Sequence, residues 1–218
     1  MWTAVLTAIV VGGVVVLVRR LSAAPAPALL APVDAEGMSR AYFPSPNNSG
    51  KRSKPPTLIV LHDTEGTETA AATAAYFMNP AAKAAAHITV DGSGATYRSV
   101  EDSSVAWHAN AVNPYSLGIE MAAPKGAYAW SRAEWLRHER LLETAAERVA
   151  QWCRRWNLPV KFVDAEGLKA GRKGITTHEA VTKAFGASDH MDPGSRFPME
   201  DFLRRVARHL AAIPRLVA

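Results

Sequence analysis

The sequence predicts an α/β domain: one central mixed β-sheet flanked by helices, preceded by an N-terminal hydrophobic helix. Three observations predict it. Short apolar, β-branched runs alternate with stretches of helical periodicity, the pattern of a sheet covered by helices. One pair of runs lies close enough to form a hairpin, so the sheet is mixed rather than wholly parallel. The 218 residues are 48% hydrophobic and 21% charged. That is enough for one domain with a real core, and the balance excludes a disordered chain or a polytopic membrane protein.

Residues 3–18 read TAVLTAIVVGGVVVLV, without a charge, and Arg19-Arg20 follow. Roughly 16 to 18 apolar residues stand at the short end of a membrane span, for which about 17 to 25 are usual. Residues 1–21 are therefore expected to form a membrane-inserting, signal-anchor-like helix. A basic pair after the run favours an outside N-terminus and a cytoplasmic body, whereas export of the body to the cell envelope or wall needs the reverse, and the topology stays open. Residues 22–56 shift to Ala, Pro, Ser and Asn. Ala24-Pro-Ala-Pro-Ala28 cannot continue a helix, because proline lacks the N–H and clashes with the preceding turn. Asn47-Asn-Ser-Gly50 is a turn cluster. The stretch reads as a linker, with packing of its end on the domain left open.

The folded body, residues 57–218, opens with TLIVL at 57–61, a buried strand after Pro55-Pro56. Residues 68–78 are Ala-rich and predict a helix closed by Asn79-Pro80. Residues 87–90 and 96–100 flank Asp91-Gly-Ser-Gly94 as a hairpin. LGIEM at 117–121 predicts a strand. Residues 131–156 predict one long helix, opened by a Ser131/Glu134 capping box. Trp135, Leu142, Ala145, Val149, Trp152 and Trp156 share one face of it, and Asn157-Leu-Pro159 ends it. Residues 160–163 and 175–177 predict strands. Phe202, Val206, Leu210 and Ile213 mark a last amphipathic helix, closed by Pro214.

The seven histidines differ in position. His62 and His178 each end a strand, where side chains emerge into a site. His190 and Asp192 share a loop before the last helix. His87 starts a strand, and His108 follows Ala106-Trp107. His138 and His209 fall among Arg and Glu as exposed helix positions. A lone strand-end histidine is usually a satisfied polar residue, and Asp192-Pro-Gly194 alone is usually a turn. Together they say more. Zinc takes imidazole nitrogens and carboxylate oxygens, and a catalytic site uses three protein ligands. Two strand-end histidines and a loop carboxylate supply that set. Glu120, inside an apolar strand, points either to solvent or into a site, and in a site it is placed as a general base.

Leu58-Ile-Val-Leu-His62-Asp-Thr-Glu-Gly66 resembles the first zinc-ligand strand of the type-2 N-acetylmuramoyl-L-alanine amidases, which share a fold with peptidoglycan-recognition proteins. Ala86-His87-Ile-Thr-Val-Asp-Gly92 resembles the family's next strand, Val105-Ala-Trp-His108-Ala-Asn110 its groove segment, and Asn113-Pro-Tyr-Ser-Leu-Gly-Ile-Glu120 the strand of the catalytic Glu. Lys173-Gly-Ile-Thr-Thr-His178-Glu179 and Asp192-Pro-Gly194 resemble the other ligand segments. The segments occur in the family's order from residue 57 to 202, and the spelling around His190 looks most like phage endolysins.

The resemblance implies a Zn2+ amidase. His62, His178 and Asp192 hold the metal, and Glu120 moves the proton. His190 stands where many members carry a lysine that stabilises the oxyanion. His87, Trp107, His108 and Asn110 are substrate-groove residues, although core packing is an equal reading for Trp107. The substrate is peptidoglycan, and the enzyme is expected to act as a monomer. A non-catalytic peptidoglycan-binding protein on the same fold is the rival reading, and the retained ligands and Glu120 argue against it. Lys and Arg outnumber Asp and Glu by 25 to 20, a net charge of +5. Nucleic acid is not expected as a partner, because no base-reading motif accompanies the arginines. The arginines at 154–155 and 204–208 read as a solvated helix face. The single cysteine, Cys153, excludes an intrachain disulfide and reads as structural.

Overall fold

The computed structural model describes residues 7–11, 14–18 and 41–214. Strands β1 (Thr7–Val11) and β2 (Val14–Val18) form an antiparallel pair. The rest of the segment expected as a hydrophobic helix, and the linker up to residue 40, lie outside the described residues. Among the described residues no helix is long and apolar enough to cross a membrane.

The body contains β3 (Ala41–Tyr42), β4 (Asn48–Lys51), β5 (Leu58–Asp63), α1 (Ala70–Phe77), β6 (Ile88–Val90), β7 (Thr96–Arg98), β8 (Ser104–Ala106) and β9 (Ser116–Met121). It continues with α2 (Arg132–Arg137), α3 (Glu139–Trp156), α4 (Ala165–Lys169), β10 (Gly174–Thr177), α5 (His178–Phe185) and α6 (Met199–Ala212). Six strands make the central sheet in the order β10-β5-β9-β6-β7-β3. The first four run parallel, and the β6–β7 hairpin is antiparallel, as the Asp91–Gly94 turn predicts. β5 has parallel neighbours on both sides and every residue buried, which is why its first four residues read as an unbroken apolar run.

Alternation along the strands sorts side chains into two cores. Ile59, Leu61, Leu117, Ile119 and Met121 enter the larger one with residues of α3 and α6, among them Trp152, Val149 and Phe202. Leu58 and Val60 point the other way, into a smaller core with Leu168 of α4 and Ala180 and Val181 of α5. On β9 the second face is neither apolar nor large. It carries Ser116, Gly118 and Glu120, and it belongs to the site.

The fold departs from the sequence reading in four places. Residues 41–56 are packed onto the body, so the folded unit starts before Thr57. β3 pairs with β7, β4 pairs with β8, and Ser45, Asn47 and Arg52 are buried. Arg52 closes this segment. Its Nε donates to the Asp102 carbonyl (2.7 Å), and its Nη2 to those of Ser104 (2.8 Å) and Ser116 (3.0 Å).

The helix expected over 131–156 is two helices that meet at His138, which caps both. The His138 ring stacks on Trp130 at 4.4 Å and 5°, and this contact, invisible to periodicity, holds the break. Ser131 does cap α2, through its Oγ and the Glu134 N–H, while the Glu134 carboxylate turns to Arg137 and His138. Residues 160–163 make a single bridge, Phe162 to Ile175, instead of a strand.

The arginines of α6 are not merely solvated. Arg205, Arg208 and His209 converge on Glu143 of α3 and staple the two helices. His209 is thus a staple, with Nε2 2.8 Å from Glu143. Cys153 is buried, and burial pushes its thiol up to about 12, in keeping with a structural role.

Two outcomes are expected. Arg52→Ala leaves several buried carbonyls without their charged donor, and chemical denaturation should show a loss of about 2–4 kcal/mol. Glu143 is held down to about 2, burial opposing and Arg208 and His209 favouring its ionised form. A depressed carboxylate stabilises the fold above its unfolded pKa and loses that effect as pH falls through the folded one. Glu143→Gln should therefore melt below wild type at pH 7, with the gap closing between pH 4.5 and about 2.

Candidate active site

The site forms at the C-terminal ends of three parallel strands. His62 is the penultimate residue of β5, and register places it directly across from Glu120 of β9. β10 pairs Thr177 with Leu61, so the next residue, His178, opens α5 beside His62. The Thr177 hydroxyl caps α5 through the Ala180 N–H (3.1 Å). Asp192 arrives from the loop between α5 and α6, which the Glu179 N–H pins through the Asp192 carbonyl (2.9 Å). Gly194 is required there. Its φ is +88°, and a Cβ would stand 1.9 Å from the Tyr128 carbonyl oxygen.

His62, His178 and Asp192 are buried and face one point. Asp192 Oδ2 is 3.0 Å from His62 Nδ1, Asp192 Oδ1 is 3.0 Å from His178 Nδ1, and the two Nδ1 atoms are 3.1 Å apart. Donors bound tetrahedrally at the usual zinc distances stand about 3.3 Å from one another. Two imidazoles and one carboxylate so spaced fit zinc. Glu65, His190 and Asp192 also bring donor atoms together, but that group is half open and borrows its one buried carboxylate from the first.

The electrostatics agree with a cation-binding centre. Burial lowers the pKa of His62, against its hydrogen bond to Asp192, which raises it. Burial raises that of Asp192, but contacts with His178 and His62 outweigh it and keep the carboxylate well below its ordinary range. Glu120 is pushed well above the ordinary range by burial, then by Asp192, Asp63 and Glu65. Its Oε2 has no hydrogen-bond partner. Asp63, which the sequence reading passed over, is raised to about 8 by burial and Asp192.

These groups line a cavity of about 370 Å³, with Glu65, Tyr76, Phe77 and Trp107 among its walls. Trp107 is a wall and not core. It is 37% exposed, and its indole N–H donates to Ser49 Oγ (2.7 Å). His190 also lines the cavity, stacked on His178 at 4.6 Å, with Nδ1 3.7 Å from Asp192. Glu65 and Tyr76 carried no signal beyond their place in or near the first motif.

Two expected groove residues lie elsewhere. His87 is 0% exposed and cannot touch substrate. Its Nδ1 accepts from the Gly118 N–H (3.0 Å), its Nε2 faces the Ser104 carbonyl (3.2 Å), and burial lowers it to about 4. Asn110 is exposed outside the cavity, where its Nδ2 donates to the Ala187 carbonyl (3.1 Å). His108 reaches the cavity but makes its contacts inward, to His62 and Ser116. His190, His178, His62, His108 and His87 thus form a row of rings from the cavity mouth to Trp152 in the main core.

Residues 52–195 match the N-acetylmuramoyl-L-alanine amidase family. N-acetylmuramoyl-L-alanine amidase A of Achromobacter lyticus is 28% identical over 163 residues, which cover 72% of this chain and 87% of that protein. Among solved structures, the Staphylococcus aureus hydrolase AmiA in complex with its ligand superposes with a TM-score of 0.58 at 21% identity, over 72% of this chain and 73% of that one. The catalytic domain of XlyA does so with a TM-score of 0.51 at 20% identity, over 76% and 97%. At such identities the structures speak for the fold alone. The family match spans both histidines, Glu120 and Asp192, and on that ground the chain belongs to the N-acetylmuramoyl-L-alanine amidases, which hydrolyse the amide between N-acetylmuramic acid and L-Ala in peptidoglycan.

Proposed function

We propose that this hydrolysis uses zinc held by Nδ1 of His62, Nδ1 of His178 and the Asp192 carboxylate, with Glu120 as general base, in an endolysin-like lysis of the cell wall. The observation that carries the reading is Glu120 Oε2, a buried carboxylate oxygen with no protein partner, on the strand position across from His62. Zinc bound by the three ligands supplies Lewis acidity, polarising a carbonyl and acidifying water. Glu120 takes a proton from the attacking water at Oε2 and delivers it to the departing nitrogen of L-Ala. Its raised pKa favours holding that proton between the two transfers. His190, open to the cavity and stacked on His178, offers a ring N–H to the carbonyl oxygen as negative charge develops there. Trp107 and Tyr76 supply flat, half-exposed surface for the substrate. The place of action is the cell wall, and the uncharged run at residues 3–18 supports a membrane-inserting segment that carries or holds the enzyme there.

Glu120→Gln should lower kcat by about 10²–10⁴-fold while zinc content stays at wild-type level, measured as release of new L-Ala amino termini from peptidoglycan. Zinc lost along with activity would make Glu120 a ligand instead of a base. Asp192→Ala should lose its zinc, whereas His190→Ala should keep it and lose about 10²-fold in kcat. Retained zinc in Asp192→Ala, by metal analysis of the dialysed protein, would overturn the ligand set.

A further inference from the structure

We propose that His108 is a positioning residue for the metal centre, one that fixes the tautomer of His62, and not a substrate-groove residue. The inference rests on the zinc reading above. His62 turns Nδ1 toward His178 and Asp192 and Nε2 toward His108 Nδ1, 3.0 Å away. A ligand Nδ1 must present a lone pair, so the proton of neutral His62 sits on Nε2. His108 Nδ1 then accepts it. That leaves the His108 proton on Nε2, where Ser116 Oγ stands 3.0 Å away to receive it. The hydrogen bonds run in one direction, from ligand to His108 to Ser116, and each ring holds one tautomer.

Three features built around the ring hold it there. The Asn113 side chain accepts from the backbone N–H groups of His108 (3.2 Å) and Ala109 (2.7 Å), which fixes the main chain. Ser116, 0% exposed, fixes the far nitrogen. Gly118 makes room, since a Cβ there would stand 2.6 Å from His108 Cγ and Nδ1. Ser116, Gly118 and Glu120 share one face of β9 by alternation, so one strand seats the positioning histidine and presents the base. An outer partner that orients a metal-bound imidazole typically contributes 10- to 100-fold in metal affinity.

The test compares zinc dissociation constants, by competition with a chromophoric chelator, in wild type, His108→Leu, His108→Gln and His108→Asn. Asn carries a polar atom at the Nδ1 position and can accept from His62. Gln reaches only the Nε2 position, and Leu offers nothing. The expected result is zinc binding weakened about 10- to 100-fold in the Leu and Gln variants and restored to within about threefold of wild type by Asn, with the visible spectrum of the cobalt-loaded protein altered in the first two alone. A merely structural role would weaken all three variants with their melting temperatures and give no rescue by Asn. Wild-type zinc affinity in both Leu and Gln variants, with a raised KM, would overturn the proposal and return His108 to the substrate groove. A wild-type chain that binds no zinc would overturn the metal reading itself, and this one with it.

Discussion

The site depends on the parallel pairing of β5 with β9. That register sets His62 across from Glu120, and a slip of one residue would turn both side chains to the opposite face. The register is secured by apolar residues that have no part in the chemistry. Ile59 and Leu61 on one strand and Leu117, Ile119 and Met121 on the next are committed to the core under α3 and α6. Their burial, at about 1.5–3 kcal/mol for each large side chain, holds the polar residues of the other face in place. α5 adds His178 because its strand, β10, ends at Thr177 across from Leu61, which leaves the next residue beside His62.

Polar groups behind the site are numerous, and nearly all are satisfied. Arg98 binds Asp102 at 2.8 Å, Trp152 donates its indole N–H to the same carboxylate at 3.0 Å, and Arg52 takes the Asp102 carbonyl. An unpaired buried polar atom costs about 1–3 kcal/mol, so the few that remain carry information. Glu120 Oε2, Asp63 Oδ2 and His178 Nε2 are among them, and all three belong to residues lining one cavity. Glu120 Oε2 is the one on the strand position across from His62, where water and substrate would meet it, whereas others, such as Thr89 Oγ1 and Trp135 Nε1, belong to residues outside the cavity.

The residues that meet in the candidate centre were legible in the sequence where strand ends and apolar strand interiors hold a polar residue that needs a reason. His62, His178 and Glu120 each break a local pattern, whereas Asp192, in a turn-forming Asp-Pro-Gly, gains meaning only beside them. His87 and His108 break patterns too, and sequence could not tell which faces the cavity. His87 lies a layer deeper, behind Gly118, and depth is a property of the stacked sheet and not of the segment. The period-two series Ser116, Gly118, Glu120 was present to be read, but a small residue and a serine between apolar neighbours carry no meaning until the ring they accommodate is seen. The break at His138 rests on one stacking contact with Trp130. The Arg205–Glu143 staple joins residues 62 apart in the chain. Neither leaves a periodic trace, and composition alone made residues 41–56 look like linker.

Arg52 has a consequence for how far the chain can be shortened. Its guanidinium reaches over the carbonyls of four later residues, Asp102, Ser104, Pro114 and Ser116. The last of these lies on the strand that carries Glu120. Proteolysis that removes residues up to 40 leaves every one of these contacts standing. A cut a dozen residues further on would remove Arg52 and leave these carbonyls without their donor. A truncation from the N-terminal side therefore has to leave Arg52 in place, and one that also keeps the pairing of the sheet edge has to leave β3.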